Sequence, residues 1–133
     1  MCQVRLSKVE MNIEMNKTLY SDVLPSFPHV LAVSSDGPAG TLRSDYMGIY
    51  IKNGSHNYRP VYILDRGGAI FHYSHFGKWV IGPTIGGDFI GIASLLQGLV
   101  APPSIGWQYF DSNNGEFKND SQLTVSGETT MRW

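Results

Sequence analysis

Cysteine and charge are both scarce in this sequence. Its one cysteine, Cys2, has no partner for a disulfide within the chain, which leaves a free thiol or an intermolecular disulfide. Charged residues make up 16% of the 133 positions, below the roughly one quarter of an average soluble protein. The net charge is −1, from 10 Lys and Arg against 11 Asp and Glu. Because binding to nucleic acid needs concentrated positive charge, we expect no nucleic-acid partner.

The sequence also lacks a long apolar segment. No stretch approaches the roughly 20 apolar residues that cross a bilayer as a helix, so we expect no membrane insertion. Charged residues between Lys8 and Lys17 interrupt the region where the apolar core of a signal peptide would lie. Three N-glycosylation motifs nevertheless begin at Asn16, Asn53 and Asn119. Since such motifs are used in secreted proteins, they favour an extracellular location.

Hydrophobic residues and glycine are abundant by contrast. The hydrophobic fraction of 42% is enough for a packed core and excludes intrinsic disorder. Fifteen Gly, seven Pro and an aromatic fraction of 12% indicate many turns between short, aromatic-rich strands.

The first third of the chain shows one clear periodicity. Apolar and polar residues alternate from Val9 to Met15, which predicts a half-buried strand whose edge pairs with a partner chain. The rest of residues 1–44 indicates Pro- and Gly-rich connection, with turn chemistry throughout Ser34 to Gly40 and a short buried strand at Val30 to Val33.

From residue 45 onward, short apolar runs follow one another closely. Turn signals separate them at Asn53-Gly54, Gly67-Gly68 and Asn113 to Gly115. Ser94 to Val100 is the one segment where a short helix or a turn fits. The pattern predicts a single all-β domain over residues 1–133, built as an antiparallel meander, sandwich or small barrel with many Gly-rich hairpins.

The histidines and acidic residues give no sign of a metal centre. His72 and His75 are three residues apart, which on a strand places them on opposite faces, and His29 and His56 are isolated. There is no pair of cysteines and no acidic calcium-binding loop. We therefore predict no metal and no cofactor.

Catalytic signatures are equally scarce. The sequence has no G-x-S-x-G motif. The acids that could form a catalytic pair are Asp45, Asp65, Asp88 and Asp111, but each lies beside turn-forming residues or at a strand end, where Asp commonly caps a turn. We predict that the protein is not an enzyme, and a small hydrolase is the second alternative.

Aromatic residues and one arginine are the candidate binding residues. They could form a surface for a protein partner or stack on sugars, although most aromatic residues of a small β-domain lie in its core. The polar neighbours of Tyr58 and Arg59 favour exposure of this pair. The candidates are Tyr58, Arg59, Tyr62, Trp79, Trp107 and Tyr109.

Several short motifs follow one another in residues 45–126. They include Gly48-Ile49-Tyr50, Asn57 to Tyr62, Trp79 to Gly82, Trp107 to Asp111 and Asp120 to Val125. The series resembles a small β-domain found, often in multiple copies, in large extracellular proteins of invertebrates, with the pattern G-x-Y, N-x-R-P-V-Y, W-x-I-G, W-x-Y-x-D and D-x-x-L-x-V. The resemblance implies an interaction or matrix role and supplies no catalytic residues.

These observations lead to one functional prediction and its alternatives. We expect a non-enzymatic interaction or structural module of an extracellular assembly, such as a matrix, a filament or a biomineral scaffold, whose partner is another protein. Low charge suits this role, because less charge has to be desolvated when a surface is covered. The alternative is a carbohydrate-binding module that uses exposed aromatic residues to bind glycans.

Overall fold

The computed structural model describes residues 27–128. This part of the chain contains nine strands, one short α-helix and one 3₁₀ helix, which confirms the predicted all-β class. The strand predicted at Val9 to Met15, Cys2 and the motif at Asn16 lie outside the described residues. Within residues 27–128, no helix has the length and apolar character needed to cross a membrane.

The strands form one antiparallel sheet. They are β1 Val30–Ser35, β2 Gly48–His56, β3 Arg59–Leu64, β4 Ile70–Tyr73, β5 Trp79–Gly82, β6 Ile92–Ser94, β7 Trp107–Asp111, β8 Glu116–Asp120 and β9 Leu123–Glu128. From β1 to β8 each strand pairs with the next in the chain, and β9 returns to pair with β1. The result is a meander curled into a nearly closed barrel, with β8 and β9 on either side of the seam.

Aromatic side chains fill the barrel. Phe71 lies at the centre, with its ring 5.6–6.0 Å from those of four buried neighbours: Tyr50, Tyr62, Trp79 and Trp107. Most of these pairs meet edge to face, the geometry that aromatic rings prefer. The two-residue alternation of each strand points these rings inward and leaves its other face outward.

The segment after β1 covers one end of the barrel. It contains the helix α1 Pro38–Leu42 and the 3₁₀ helix Ser44–Tyr46, so the prediction of turns alone through Gly40 is wrong. Pro38 starts α1 because its fixed φ suits the first helical turn and its missing N–H costs nothing there.

The buried carboxylate of Asp120 ties the seam together. It accepts hydrogen bonds from the Ser35 hydroxyl (2.7 Å), the Ala39 N–H (2.9 Å) and the Gln122 N–H (2.9 Å). Burial raises the pKa of Asp120, but these hydrogen bonds outweigh burial and leave the pKa below its ordinary value. The ionised group therefore links the β8–β9 turn to β1 and α1.

The predicted turns are partly confirmed. Gly67-Gly68 and Asn113 to Gly115 connect strands as expected. The turn predicted at Asn53-Gly54 is wrong, because both residues lie inside β2 at a register shift between Lys52 and Ser55. A left-handed Gly54 (φ 84°) absorbs this bulge, and the hairpin extends to a turn at Asn57-Tyr58.

Candidate functional site

The predicted binding residues fall into two groups. Tyr62, Trp79 and Trp107 are 0% exposed and Tyr109 is 4% exposed. The prediction that these four present their rings to a ligand is wrong, because each points into the barrel on the inward face of its strand. Tyr58 is fully exposed, and Arg59 beside it is half-buried.

The polar tips of the buried rings hold the surrounding loops. Trp79 Nε1 donates to the Leu99 carbonyl (3.0 Å), and Trp107 Nε1 donates to the Pro103 carbonyl (3.0 Å). The Tyr62 hydroxyl donates to the carbonyl of Pro28 (2.8 Å), and burial raises the pKa of Tyr62 to about 12. The two tryptophans thus position the long loop between β6 and β7.

Tyr58 has an unusual backbone. Asn57 (φ 53°) and Tyr58 (φ 64°) both adopt the left-handed region, and they form the turn between β2 and β3. A two-residue hairpin turn with two positive φ values favours Asn followed by Gly. Tyr58 therefore occupies a glycine position while its ring contributes no burial to the fold, and such a conformation is often associated with function.

Arg59 and Asn57 fix this turn against its neighbours. The Arg59 guanidinium lies 3.9 Å from the centre of the Tyr73 ring, and Arg59 Nε donates to the carbonyl of Val100 (3.3 Å). Asn57 Nδ2 donates to the Tyr73 carbonyl (3.3 Å). The β2–β3 turn is consequently held by both the β4–β5 hairpin and the β6–β7 loop.

Three loops meet at this end of the barrel, and we call them together the three-loop surface: residues 57–58, 74–78 and 95–106. Gln97 Nε2 donates to the Phe76 carbonyl (2.7 Å), and the Gly98 N–H donates to the Gly77 carbonyl (2.9 Å). Half of the twelve large hydrophobic residues exposed in residues 27–128 lie here. They are Tyr58, Phe76, Leu95, Leu96, Val100 and Ile105.

A cavity of about 260 Å³ opens beside the three-loop surface, at the seam of the barrel. Its lining is mostly apolar and includes three residues of that surface, Leu95, Ile105 and Gly106. The full lining is Leu95, Ile105, Gly106, Trp107, Asn119, Asp120 and Ser121. This cavity can accept an apolar side chain from a bound molecule.

The remaining polar candidates do not converge on this surface. Within residues 27–128, no three His, Cys, Asp or Glu side chains lie close enough to hold a metal ion. His72 is buried on the outer face of β4, whereas His75 is exposed in the next turn. Asp111 pairs with Lys118 (3.1 Å) on the far side of the barrel from Tyr58. Asn53 and Asn119, which begin two of the glycosylation motifs, are exposed on β2 and β8.

Sequence inspection missed most of the three-loop surface. Phe76, Leu96 and Val100 are apolar residues in segments without strand periodicity and close to Gly or Pro, whereas Ile105 begins an apolar run that predicts a strand. Apolar residues in turns and loops are the sequence feature that could have indicated this surface, because a turn rarely buries all of its side chains.

Comparison with known proteins gives no guide to function. No protein-family model matches the chain, and no curated protein and no solved structure matches it significantly.

Proposed function

We propose that this protein is a non-enzymatic interaction module that binds another protein through the three-loop surface. The observation that supports this most is Tyr58, an aromatic side chain held fully exposed at a position where glycine would be more stable. Tyrosine and arginine are enriched among residues that dominate binding energy, and Arg59 lies next to Tyr58.

The composition and rigidity of the three-loop surface support a protein partner. Six large hydrophobic side chains are exposed on it, and a concentration of apolar side chains is typical of the centre of a protein interface. Hydrogen bonds between the loops reduce the conformational entropy that binding would otherwise remove.

The sequence supports an extracellular setting for this module. The resemblance of residues 45–126 to a repeated extracellular β-domain and the glycosylation motifs favour an extracellular assembly such as a matrix, a filament or a biomineral scaffold. The carbohydrate-binding alternative is less favoured, since four of the rings that it required are buried. Tyr58 and Phe76 are the exposed rings on which it would still depend.

Site-specific cross-linking tests the proposal. A photoreactive phenylalanine derivative replaces Tyr58, and in a matched control it replaces Ile49, which is 40% exposed at the opposite end of the β2–β3 hairpin. Each protein is irradiated in native extracellular extract, and the cross-linked polypeptides are identified by mass spectrometry. We expect a defined protein to be captured from position 58 and not from position 49.

The affinity of the captured protein for variants of the three-loop surface then tests whether that surface is the binding site. Tyr58→Gly should weaken its binding about 30-fold, the effect of losing a dominant interface residue, whereas Ile49→Thr should leave it unchanged. Unchanged affinity in Tyr58→Gly and in Phe76→Ser would contradict the proposal. Saturable sugar binding that disappears in Tyr58→Gly would favour the carbohydrate-binding alternative, and turnover of ester, glycoside or peptide substrates would favour the hydrolase.

A further inference from the structure

The free edge of β8 is a second surface, which adjoins the three-loop surface at the cavity that Asn119 and Asp120 help to line. In the described part of the chain, β8 pairs with β7 alone and ends the sheet. The strand at the other end, β9, is partly covered, because its Val125 N–H donates to the carbonyl of Ser104 (3.0 Å). An open edge presents unpaired main-chain N–H and C=O groups that can pair with another strand.

A row of phenylalanines leads to this edge on the outer face of the sheet. Phe110 and Phe117 are cross-strand partners with ring centres 5.4 Å apart, and Phe89 lies 5.9 Å from Phe110. The guanidinium of Arg43 packs over Phe89 (5.5 Å) and Phe110 (5.8 Å). The row ends at Phe117, which is 39% exposed and borders a cavity of about 300 Å³.

The residues that flank Phe117 carry opposite charges. Glu116 precedes it and Lys118 follows it, and both point away from the phenylalanine row because strand side chains alternate. Lys118 already lies 3.1 Å from Asp111 of its own chain and stays partly exposed.

We propose that β8 pairs with β8 of a second copy, antiparallel and centred on Phe117, so that two barrels share one continuous sheet. This centre places Phe117 opposite Phe117 and joins the two phenylalanine rows. It also places Glu116 of each copy opposite Lys118 of the other, where opposite charges stabilise a cross-strand pair.

The other centres are unfavourable. Side chains that lie directly opposite each other in two paired strands must point to the same face of the sheet. In a symmetric antiparallel pair, one residue therefore lies opposite its own copy across the two-fold axis. A centre at Glu116 or at Lys118 places like charges opposite each other. A centre at Asn119 would pair Lys118 with Asp120, whose carboxylate is already held by Ser35 and Ala39. Phe117 is the centre that places opposite charges against each other without using the bound carboxylate of Asp120, and Lys118 would share its charge between Asp111 of its own chain and Glu116 of the other.

Sedimentation velocity across protein concentrations of about 1 µM to about 1 mM tests the association. Phe117→Thr, which keeps a strand-forming residue, should raise the dimer dissociation constant at least tenfold. Phe76→Thr is the matched control, since Phe76 is 40% exposed and lies on the three-loop surface; it should have no effect. A chain that remains monomeric throughout, or a dimer that Phe117→Thr leaves unchanged, overturns the proposal.

Charge exchange tests the register. Glu116→Lys should raise the dissociation constant at least tenfold by opposing two lysines, and adding Lys118→Glu should restore the dimer. Thermal unfolding of each variant shows whether the monomer is folded. If all folded charge variants dimerise equally, the register is wrong and the proposal fails.

Disulfide trapping provides an independent measurement. In a Cys2→Ser background, Phe117→Cys should form an intermolecular disulfide on mild oxidation, because directly opposite residues have Cβ atoms about 5 Å apart. Asn119→Cys should not, since its two copies would lie about 14 Å apart along the strands. Cross-linking at position 119 equal to that at 117 overturns the proposal. None of these variants alters Tyr58, so this result and that of the proposed function are distinguishable.

Discussion

Tyr58 is the residue where stability and the proposed function are most clearly opposed. A residue with a Cβ pays about 1–2 kcal/mol to enter the left-handed region, and the exposed ring of Tyr58 recovers nothing by burial. Arg59, by contrast, stabilises the fold, because its guanidinium packs over the Tyr73 ring and its Nε donates to the Val100 carbonyl. Binding would therefore depend on Tyr58, and the geometry of the loops on Arg59.

Tyr58→Gly should stabilise the fold. Relief of the left-handed strain outweighs the additional chain entropy of glycine, so we expect the free energy of unfolding to rise by about 0.5–1 kcal/mol. Urea denaturation followed by tryptophan fluorescence measures it, with Phe76→Ala as a nearby control that changes no positive φ. A decrease in Tyr58→Gly would mean that the ring contributes to the fold and would remove the main support for a binding role.

At this scale, the sequence predicts the environment of Tyr58 and not that of Trp79. Polar neighbours around Tyr58 indicate exposure, and the structure confirms it. Trp79 begins a run, Trp79 to Gly82, in which every residue is buried, so no alternation distinguishes the inner face from the outer. The outer face of that run is covered by the loop that follows β5, a long-range contact that local periodicity does not reveal.

Among the elements, this β5–β6 loop (residues 83–91) packs on the outside of the sheet. Its Gly86 N–H donates to Nε2 of His72 (3.3 Å), and the His72 ring lies 5.7 Å from that of His56. Burial lowers the pKa of His72, and the neighbouring His56 lowers it further. Because Nε2 accepts this hydrogen bond, the loop packs against neutral His72.

Acid should therefore loosen the β5–β6 loop. The unfolded chain takes up a proton near pH 6.5, while folded His72 takes it up at lower pH, so the free energy of unfolding should fall as pH decreases below about 6.5. Denaturation between pH 7.5 and pH 5 measures this slope. His72→Gln should reduce it, and His75→Gln, an exposed control, should not. Asp120 does not interfere, because a carboxyl group with a lowered pKa loses its stabilising effect only below about pH 5.

Strand existence is easier to predict than strand ends. Four short apolar runs in the sequence locate β1, β4, β5 and β7 to within two residues, since hydrophobic pattern and glycine turns agree there. The runs are Val30 to Val33, Ala69 to Tyr73, Lys78 to Ile81 and Ile105 to Phe110. The sequence pattern fails at Asn53-Gly54. These residues favour a hairpin turn, but in the structure they form a bulge that lengthens β2. The pattern also fails at α1, five residues that the packing of the barrel end stabilises rather than helix propensity.

At the scale of the whole molecule, the seam between β8 and β9 determines which strand edge is open to a partner within the described residues. In the meander, β8 and β9 do not pair with each other. The seam between them is instead bridged by the Asp120 carboxylate, which accepts hydrogen bonds from Ser35 and Ala39. One edge therefore remains open within the described residues, while the three-loop surface lies at an end of the barrel. A dimer through β8 would carry two three-loop surfaces, which is the arrangement of a cross-linking component.

A dimer that carries two three-loop surfaces should bind two partner molecules at once. On a dense layer of the partner protein, both three-loop surfaces of a dimer can bind at once, so dissociation should be about 10²-fold slower than from a sparse layer. Phe117→Thr should abolish this difference while leaving the affinity for the sparse layer unchanged, and Tyr58→Gly should weaken binding to both layers. Surface plasmon resonance at two partner densities measures these rates. If Phe117→Thr dissociates from the dense layer as slowly as the unmodified protein, the two surfaces do not act together.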